Sequence, residues 1–338
     1  MNERKIDPEK DFILSFKNIL ISCLTFALLA LSSLTQAQEW PTRPVKIVVP
    51  YPAGGGVDVL ARALANQLQE RWHQSVTIDN RPGANTLIGA ELVAHASDGH
   101  TLLLSTDATF TINPHLYSKL PYDPMLDFKP VTLLVSFSQL LVVNSKLGLN
   151  SLQDLLAFAK AHPNALSYAS YGPGSQPQLA TEMLKQKAHV SIEHIPYKGI
   201  PQAVMGVVSG EIPMTWSGVI SARPHLASKA ILALAYGGRT RLKEFPNVPT
   251  MIELGFPEVD ANVWVGVFAP ASFTANLVDR INGDIQSAIS SSTFRDKEIE
   301  AKAYDYEGLG PDDFKKHIQI ESLSRSNLIK SSGIKLNP

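Results

Sequence analysis

Residues 45–70 read VKIVVPYPAGGGVDVLARALANQLQE, in which a β-branched run meets a glycine-rich turn and then an amphipathic stretch. The run Val45–Val49 predicts a short strand, and Pro50 ends it. The apolar residues after the turn recur at helical spacing and form one stripe: Val57, Leu60, Ala61, Leu64 and Leu68. A strand, a glycine turn and a helix in this order predict the opening of a βαβ unit.

The same alternation continues outward from this segment. Further strands are predicted at 76–79, 101–104, 140–143, 166–170, 192–195, 212–216 and 231–235. Helices are predicted at 86–95, 178–187, 202–208 and 277–289, and two more begin at Ser151 and Pro311. Strands separated by helices indicate an α/β protein with mostly parallel sheet.

Composition excludes several classes of protein. The chain has 338 residues, and 30 basic against 31 acidic side chains give a formal charge of −1. No basic surplus is available for nucleic acid or anionic lipid. Hydrophobic residues make up 44% of the chain, which favours a well-packed globular protein. The single cysteine, Cys23, excludes a disulfide framework within the chain and a thiolate metal cage.

An apolar segment near the start predicts export. Residues 19–31 read ILISCLTFALLAL, Lys17 precedes them, and Thr35 and Ala37 supply small residues. This pattern predicts a signal peptide over residues 1–37, cleaved after Ala37, and hence a periplasmic protein. A membrane anchor is the alternative, but the apolar stretch is shorter than the roughly 20 residues that span a bilayer.

The glycine turn at 53–56 predicts an anion site. Free N–H groups at a helix start, together with the helix dipole, attract negative charge. A purely conformational turn is the alternative, because the segment lacks the lysine of a P-loop and the GxGxxG spacing. Small or hydroxyl residues also follow other predicted strands, at 84–86, 105–106 and 170–176, where open α/β sheets bind ligands. Asp58, in the first turn, is interpreted as a dipole-stabilising residue and not a catalytic one.

Motifs for catalysis and for metal binding are missing from the sequence. It contains no GxSxG elbow and no HExxH, so no catalytic residue, metal or cofactor is predicted. His189 and His194 are interpreted as surface histidines on opposite sides of a strand. The residue types favour a core position for Trp216 and Trp264.

Several motifs in register resemble a known family. The motifs are WPTRPVKIVVPYPAGGGVD at 40–58, DNRPGA at 79–84, DGHTLL at 98–103, NP at 113–114, LPYDP at 120–124, HIPYKG at 194–199 and FPNVPT at 245–250. Together they resemble the Bug-type extracytoplasmic solute receptors, the binding proteins of the tripartite tricarboxylate transporter family. The resemblance covers residues 40–334.

The resemblance implies an α/β protein with the two-lobed fold of periplasmic binding proteins, in a type II-like arrangement. Crossing strands would join the lobes, and a ligand cleft would lie between them. Residues 38–143 and 264–338 would form the first lobe, and residues 144–263 the second. The implied function is capture of a small carboxylate-bearing acid by lobe closure and its delivery to the membrane components of a tripartite transporter. The protein would work as a monomer, with no nucleic-acid partner.

The resemblance also implies a binding site, gripped in the family largely through main-chain amides of the first lobe. The corresponding residues here are Tyr51, Ala53, Gly54, Gly55, Asn85, Thr86, Ser105 and Thr106. Facing them from the second lobe would be Ser170, Gly174, Ser175, Tyr197, Trp216 and Ser217. Departures from the family pattern at Tyr171, Pro173 and Pro213 leave the distal end of the ligand open, and an aromatic or less polar acid is a hypothesis. A ligand-sensing receptor and a secreted α/β enzyme acting on organic acids remain alternatives.

Overall fold

The computed structural model describes residues 40–332, and the predicted signal peptide with Cys23 lies outside the described residues. The strands are β1 Val45–Val49, β2 Val76–Asn80, β3 Thr101–Thr106, β4 Phe128–Ser138, β5 Leu140–Asn144, β6 Ser167–Ser170, β7 Glu193–Pro196, β8 Met214–Ser217, β9 Ile231–Tyr236, β10 Asn262–Pro270 and β11 Asp305–Leu309. The helices are α1 Gly56–Trp72, α2 Leu87–Ala94, α3 Asn113–Leu116, α4 Leu152–Ala161, α5 Gln176–Ala188, α6 Ile200–Ser209, α7 Val219–Ala227, α8 Ala275–Ile289, α9 Ser292–Phe294 and α10 Pro311–Ser332.

Local chemistry explains where several helices begin. The Ser151 hydroxyl caps α4 by accepting a hydrogen bond from the Asp154 N–H at 3.0 Å. Thr274 caps α8 in the same way, accepting from the Leu277 N–H at 3.3 Å. The apolar stripe predicted after the glycine turn is the buried face of α1. A π-helical turn, Ala108–Ile112, leads directly into α3.

Two mixed sheets organise the chain. The first sheet has the order β11-β4-β10-β3-β1-β2, and the second has the order β7-β6-β8-β5-β9. In the first sheet β1 is parallel to β2 and β3, whereas β10 is antiparallel to both β3 and β4. In the second sheet β6 is parallel to β7 and β8, whereas β5 is antiparallel to β8 and β9. The predicted α/β class is confirmed, but the expectation of mostly parallel sheet is wrong, because the strands that cross between the sheets pair antiparallel.

The chain passes between the sheets in two places. At Gln139 it leaves β4 in the first sheet and enters β5 in the second. It returns between Tyr236 and Asn262. By sheet membership the boundaries between the lobes fall at these two points. The boundaries that the resemblance implies lie after residues 143 and 263. Here the first lobe means the first sheet with its helices, and the second lobe means the second sheet with its helices.

Each sheet has its own apolar core. Phe110 and Phe268 stack in the first lobe with ring centroids 3.7 Å apart, and Trp264 lies beside them. In the second lobe Trp216 and Tyr168 are fully buried. A smaller apolar cluster connects the two lobes, because Leu179 of α5 packs with Ala108, Ile112 and Leu116 of the first lobe. Within residues 40–332 no helix combines the length and the apolar character needed to cross a membrane.

Candidate functional site

The carboxyl ends of parallel strands from both sheets face one cleft. From the first lobe the residues lining it are Tyr51, Pro52, Gly55, Gly56, Val57, Thr106, Phe137, Gln139, Val263, Lys302, Ala303 and Tyr304. From the second lobe they are Tyr171, Ile200, Pro201, Gly218, Val219, Ile220 and Ser221. Tyr51 follows β1, Tyr171 follows β6 and Gly218 follows β8. Ligands of open α/β sheets bind at such strand ends.

Three helices begin in the wall of this cleft. They are α1 at Gly56, α6 at Ile200 and α7 at Val219. The N-cap residues of these helices are glycines and supply no side-chain acceptor for the first N–H groups. The positive ends of three helix dipoles, with first-turn N–H groups that no side chain caps, create a site that favours an anion without an arginine. Helix α6 offers fewer of these donors, because Pro201 has no N–H.

The Asp58 carboxylate holds the glycine turn before α1. Its Oδ2 accepts from the Gly54 N–H at 2.9 Å and from Arg62 Nε at 3.0 Å, and its Oδ1 accepts from Asn80 Nδ2 at 2.9 Å. Burial opposes ionisation of Asp58, but these hydrogen bonds outweigh it and hold its pKa below the usual range. Asp58 is therefore a structural anchor of the turn.

The loop before α2 has a strained backbone. Gly83, Ala84, Asn85 and Thr86 have φ angles of 133°, 46°, 46° and 78°. Consecutive non-glycine residues with positive φ are rare, and such strain persists where the surroundings impose it. The residue types Ala, Asn and Thr give little sign of this conformation. The sequence marks residues 84–86 as a candidate ligand loop, but their strained conformation is visible only in the structure.

A buried polar network holds the strained loop in place. Asn113 Nδ2 donates to the Asn85 carbonyl at 2.7 Å and to Thr86 Oγ1 at 3.2 Å, and Asn113 Oδ1 accepts from Asn85 Nδ2 at 2.7 Å. The Thr109 hydroxyl donates to Thr86 Oγ1 at 2.8 Å and lies 2.6 Å from the Ser105 hydroxyl. Most of these side-chain groups satisfy one another, but the buried Asn85 Oδ1 has no partner within residues 40–332. The carbonyl groups of residues 84–86 accept hydrogen bonds from Leu87, Asn113 and Ala90, so the N–H groups are what the loop can offer a ligand.

The two lobes touch across the cleft. The Tyr51 and Tyr171 rings meet edge to face with centroids 6.2 Å apart, and the Tyr51 hydroxyl lies 2.7 Å from Thr106 Oγ1. A Cβ placed on Gly199 would lie 2.5 Å from Pro52 Cγ. The cavity that remains is about 60 Å³, whereas an apolar cavity that holds benzene is about 150 Å³. An organic acid therefore needs the lobes to part before it enters.

The structure brings some of the predicted first-lobe residues together. Tyr51, Gly55 and Thr106 line the cleft. Ala53 and Gly54 form the exposed part of the glycine turn. The remaining three belong to the buried network behind the cleft: Asn85, Thr86 and Ser105.

Four predicted residues of the second lobe occupy its strand ends and turns. Ser170 Oγ accepts from the Gly172 N–H at 3.1 Å, and the Ser175 hydroxyl donates to the Gly172 carbonyl at 2.6 Å. The Gly174 N–H donates to Gln178 Oε1 at 2.6 Å, before α5 begins. Ser217 ends β8, next to the cleft-lining Gly218.

Two other predicted residues lie elsewhere in the second lobe. The Trp216 indole is in the core and donates to Thr181 Oγ1 at 3.1 Å. The Tyr197 hydroxyl lies against Gly206, where an added Cβ would approach it to 2.7 Å. Neither is among the residues that line the cleft.

His194 is half-buried at the surface, and its ring has specific partners that the sequence does not indicate. Its Nε2 lies 2.6 Å from Ser170 Oγ, and its ring stacks on Tyr168 with centroids 5.0 Å apart. Strand β7 pairs with β6 in a register that places His194 beside Tyr168, and burial lowers the pKa of the imidazole.

Several residues of the cleft were missed by the sequence analysis. Phe137 and Gln139 come from the crossing between the sheets, and Lys302 and Tyr304 come from the segment after α9. No local motif marks either segment, because only long-range strand pairing brings them to the cleft. The short β-branched and apolar run VTLLV at 131–135 is the one signal that indicates a buried strand near Phe137.

Comparison with known proteins agrees with this architecture. The family model described as tripartite tricarboxylate transporter family receptor matches residues 60–334. BugT of Bordetella pertussis (strain Tohama I) is 37% identical over 257 residues, which cover 75% of this chain and 79% of BugT.

Solved structures match over most of their length. Rpa4515 of R. palustris with adipate has a TM-score of 0.84 and 31% identity, covering 88% of this chain and 99% of that one. MatC from Rhodopseudomonas palustris with bound malate has a TM-score of 0.80 and 27% identity, covering 86% and 100%. The predicted two-lobed fold is confirmed by these matches, and the chain belongs to the tripartite tricarboxylate transporter receptor family.

Proposed function

We propose that this receptor captures a carboxylate-bearing organic acid between its two lobes in the periplasm and delivers it to the membrane components of a tripartite tricarboxylate-type transporter. Residues 1–37 would direct export and be removed. The protein would act as a monomer and without catalysis. Its relatives Rpa4515 and MatC, solved with adipate and with malate, support a carboxylate ligand.

The observation that carries the proposal is the convergence of three helix starts on one cleft. Helices α1, α6 and α7 begin there with glycine N-caps. Charge-assisted hydrogen bonds from several N–H groups to one carboxylate are about twice as strong as neutral ones. The strained main chain at 84–86 lies at the end of the neighbouring strand β2 and would add donors from the first lobe.

Thermal unfolding with a panel of carboxylic acids tests this function. A ligand at 100 times its Kd stabilises the folded state by about 2.7 kcal/mol. We expect a clear rise in Tm with at least one acid and no rise with the matching primary amide, which has lost the charge. The protein is first freed of any co-purified ligand. Equal shifts with an acid and its amide would contradict a carboxylate site.

Closure of the lobes is tested by Gly199→Ala. Gly199 has φ 177° and ψ 168°, an extended conformation that alanine adopts without strain. The new methyl group would collide with Pro52 in the opposite lobe. We expect the Kd of the best ligand to rise about tenfold or more, because the closed state loses stability while the open state does not. The Tm of the ligand-free variant should change little.

The matched control is Gly283→Ala on α8, where no atom lies within 4 Å of the added Cβ. This variant should keep its Kd, and alanine within a helix should raise stability by roughly 0.5–1 kcal/mol. Small-angle scattering supplies a second readout, since Gly199→Ala with ligand should stay more expanded than the unmodified protein. A Gly199→Ala variant with unchanged Kd and unchanged scattering would show that the lobes do not close at this contact.

A further inference from the structure

Aromatic rings form two sides of the cleft. Tyr51 and Tyr171 meet across the lobes, and Phe137 and Tyr304 pack edge to face with centroids 5.4 Å apart. The rest of the wall is mostly aliphatic and consists of Ile200, Pro201, Val219, Ile220 and Val263. A wall of rings and aliphatic groups favours a ligand whose body is apolar and flat.

Positive charge is scarce in the cleft. Among the lining residues in the described part of the chain, Lys302 is the only cationic one. Its Nζ already donates to Glu298 Oε2, one helical turn earlier. A second carboxylate on the ligand would find no free cationic side chain among these residues, and only the starts of α6 and α7 could stabilise it. The cost of removing its water would be only partly offset, so the lining favours a ligand with a single carboxylate.

Two polar side-chain atoms in the wall, Tyr304 Oη and Gln139 Oε1, lack a hydrogen-bond partner within residues 40–332, and only the first can donate to a carboxylate. Tyr304 Oη is buried and has no hydrogen bond within residues 40–332. A Cβ on Gly56 would lie 2.8 Å from this oxygen, so the hydroxyl lies against the first turn of α1. Burial and the charge of Glu298 raise the pKa of Tyr304, which keeps the phenol protonated as a donor. The hydroxyl and the first N–H groups of α1 are thus neighbouring donors.

On the function proposed above, we propose that the ligand is an aromatic monocarboxylate. Its carboxylate accepts hydrogen bonds from the first turn of α1 and from the Tyr304 hydroxyl, and its ring lies between the two aromatic pairs. Tyr304 thereby helps to hold the acid group, and Phe137 selects a flat body.

Calorimetric titration at pH 7 compares benzoate and phenylacetate with adipate and malate, after removal of any co-purified ligand. We expect the better aromatic acid to bind at least tenfold more tightly than either dicarboxylate. Tighter binding of adipate or malate would overturn this inference and leave the carboxylate receptor intact. Failure of all four acids to bind would overturn the receptor function as well.

Two variants separate the roles of the rings. Tyr304→Phe removes only the hydroxyl, and we expect the Kd of the better aromatic acid to rise about tenfold. Phe137→Leu keeps an apolar side chain, and we expect the preference for benzoate over cyclohexanecarboxylate to fall roughly three- to tenfold. Phe158→Leu is the control, because this ring of α4 packs on His162 just after the helix and does not line the cleft. Unchanged binding in Tyr304→Phe would exclude the hydroxyl as a carboxylate donor, and an unchanged preference in a folded Phe137→Leu variant would exclude ring selection.

Discussion

Replacing Arg325 by methionine is expected to lower the free energy of unfolding at pH 7 by about 3–5 kcal/mol. The Arg325 side chain is 5% exposed, and its Nη2 lies 3.0 Å from Asp260 Oδ2 and 3.1 Å from Glu321 Oε1. Asp107 Oδ2 lies 3.9 Å away and is itself buried. Methionine fills similar space but leaves these carboxylates without their cation. Urea unfolding followed by circular dichroism measures the loss.

The loss should depend on pH. Burial and the charge of Glu321 raise the pKa of Asp107 well above its usual range, and Arg325 opposes that rise. A carboxyl with a raised pKa in the folded state contributes stability at low pH that disappears as pH rises through that pKa. Without Arg325 the penalty for ionising Asp107 grows. We expect a larger difference between the variant and the unmodified protein at pH 8 than at pH 5.

A surface arginine provides the control for this experiment. Arg241 pairs with Glu253 at 2.9 Å, and both side chains are more than 40% exposed. Arg241→Met should therefore change the free energy of unfolding by at most about 1 kcal/mol. A loss for Arg325→Met that is no larger than this, or that is equal at the two pH values, would contradict the role of Arg325 as the buried counter-charge.

Asn113→Ala is expected to weaken ligand binding by well over tenfold and to destabilise the fold by about 2–3 kcal/mol. Asn113 is fully buried and makes three hydrogen bonds to the loop at Asn85 and Thr86. Alanine removes those bonds, leaves the Asn85 amide unpaired and lets the strained backbone relax to negative φ. The donors of the loop then point away from the ligand. Titration calorimetry and urea unfolding measure the two effects.

Asn66→Ala is the matched control, because Asn66 lies on the exposed face of α1. It should leave the Kd unchanged and stability within about 0.5 kcal/mol. The informative result is a folded Asn113→Ala variant that keeps its affinity. It would show that the conformation of residues 84–86 is not required for binding, and the carboxylate would then be held by the helix starts alone.

Short-range patterns were sufficient for much of the fold. The strand, glycine turn and helix at residues 45–70 occur as predicted in β1 and α1, because period-2 and period-3.6 patterns depend on neighbouring residues. Strands β4 and β10 were not predicted. They form the middle of the first sheet through pairs such as Trp264 with Ser136, which are far apart in sequence. Pairing of that kind has no local signature.

The candidate site, like the fold, could be predicted from sequence only in part. The glycine turn could be predicted from sequence, with Tyr51, Gly55 and Thr106 at the strand ends. The start of a helix attracts an anion through its own N–H groups and dipole, which do not depend on distant residues. For Trp216 the residue type favoured the core, whereas the resemblance placed it at the ligand, and the structure agrees with the first of these. Adjacent residues of a strand face opposite sides, so Trp216 and Ser217 cannot both face the ligand, and packing of the second lobe directs the indole into its core.

Local sequence was therefore sufficient to predict many of the helices and strands and the anion-binding character of the helix starts. Several motifs in the expected order also identified the family. The strained loop at 84–86, the two aromatic pairs and the buried charge of Arg325 depend on residues that meet only in the folded chain. Backbone strain needs a distant partner such as Asn113 to maintain it, and the cleft is lined by eight separate stretches of the chain. Contacts between distant segments, and not propensities, decide what the cleft accepts.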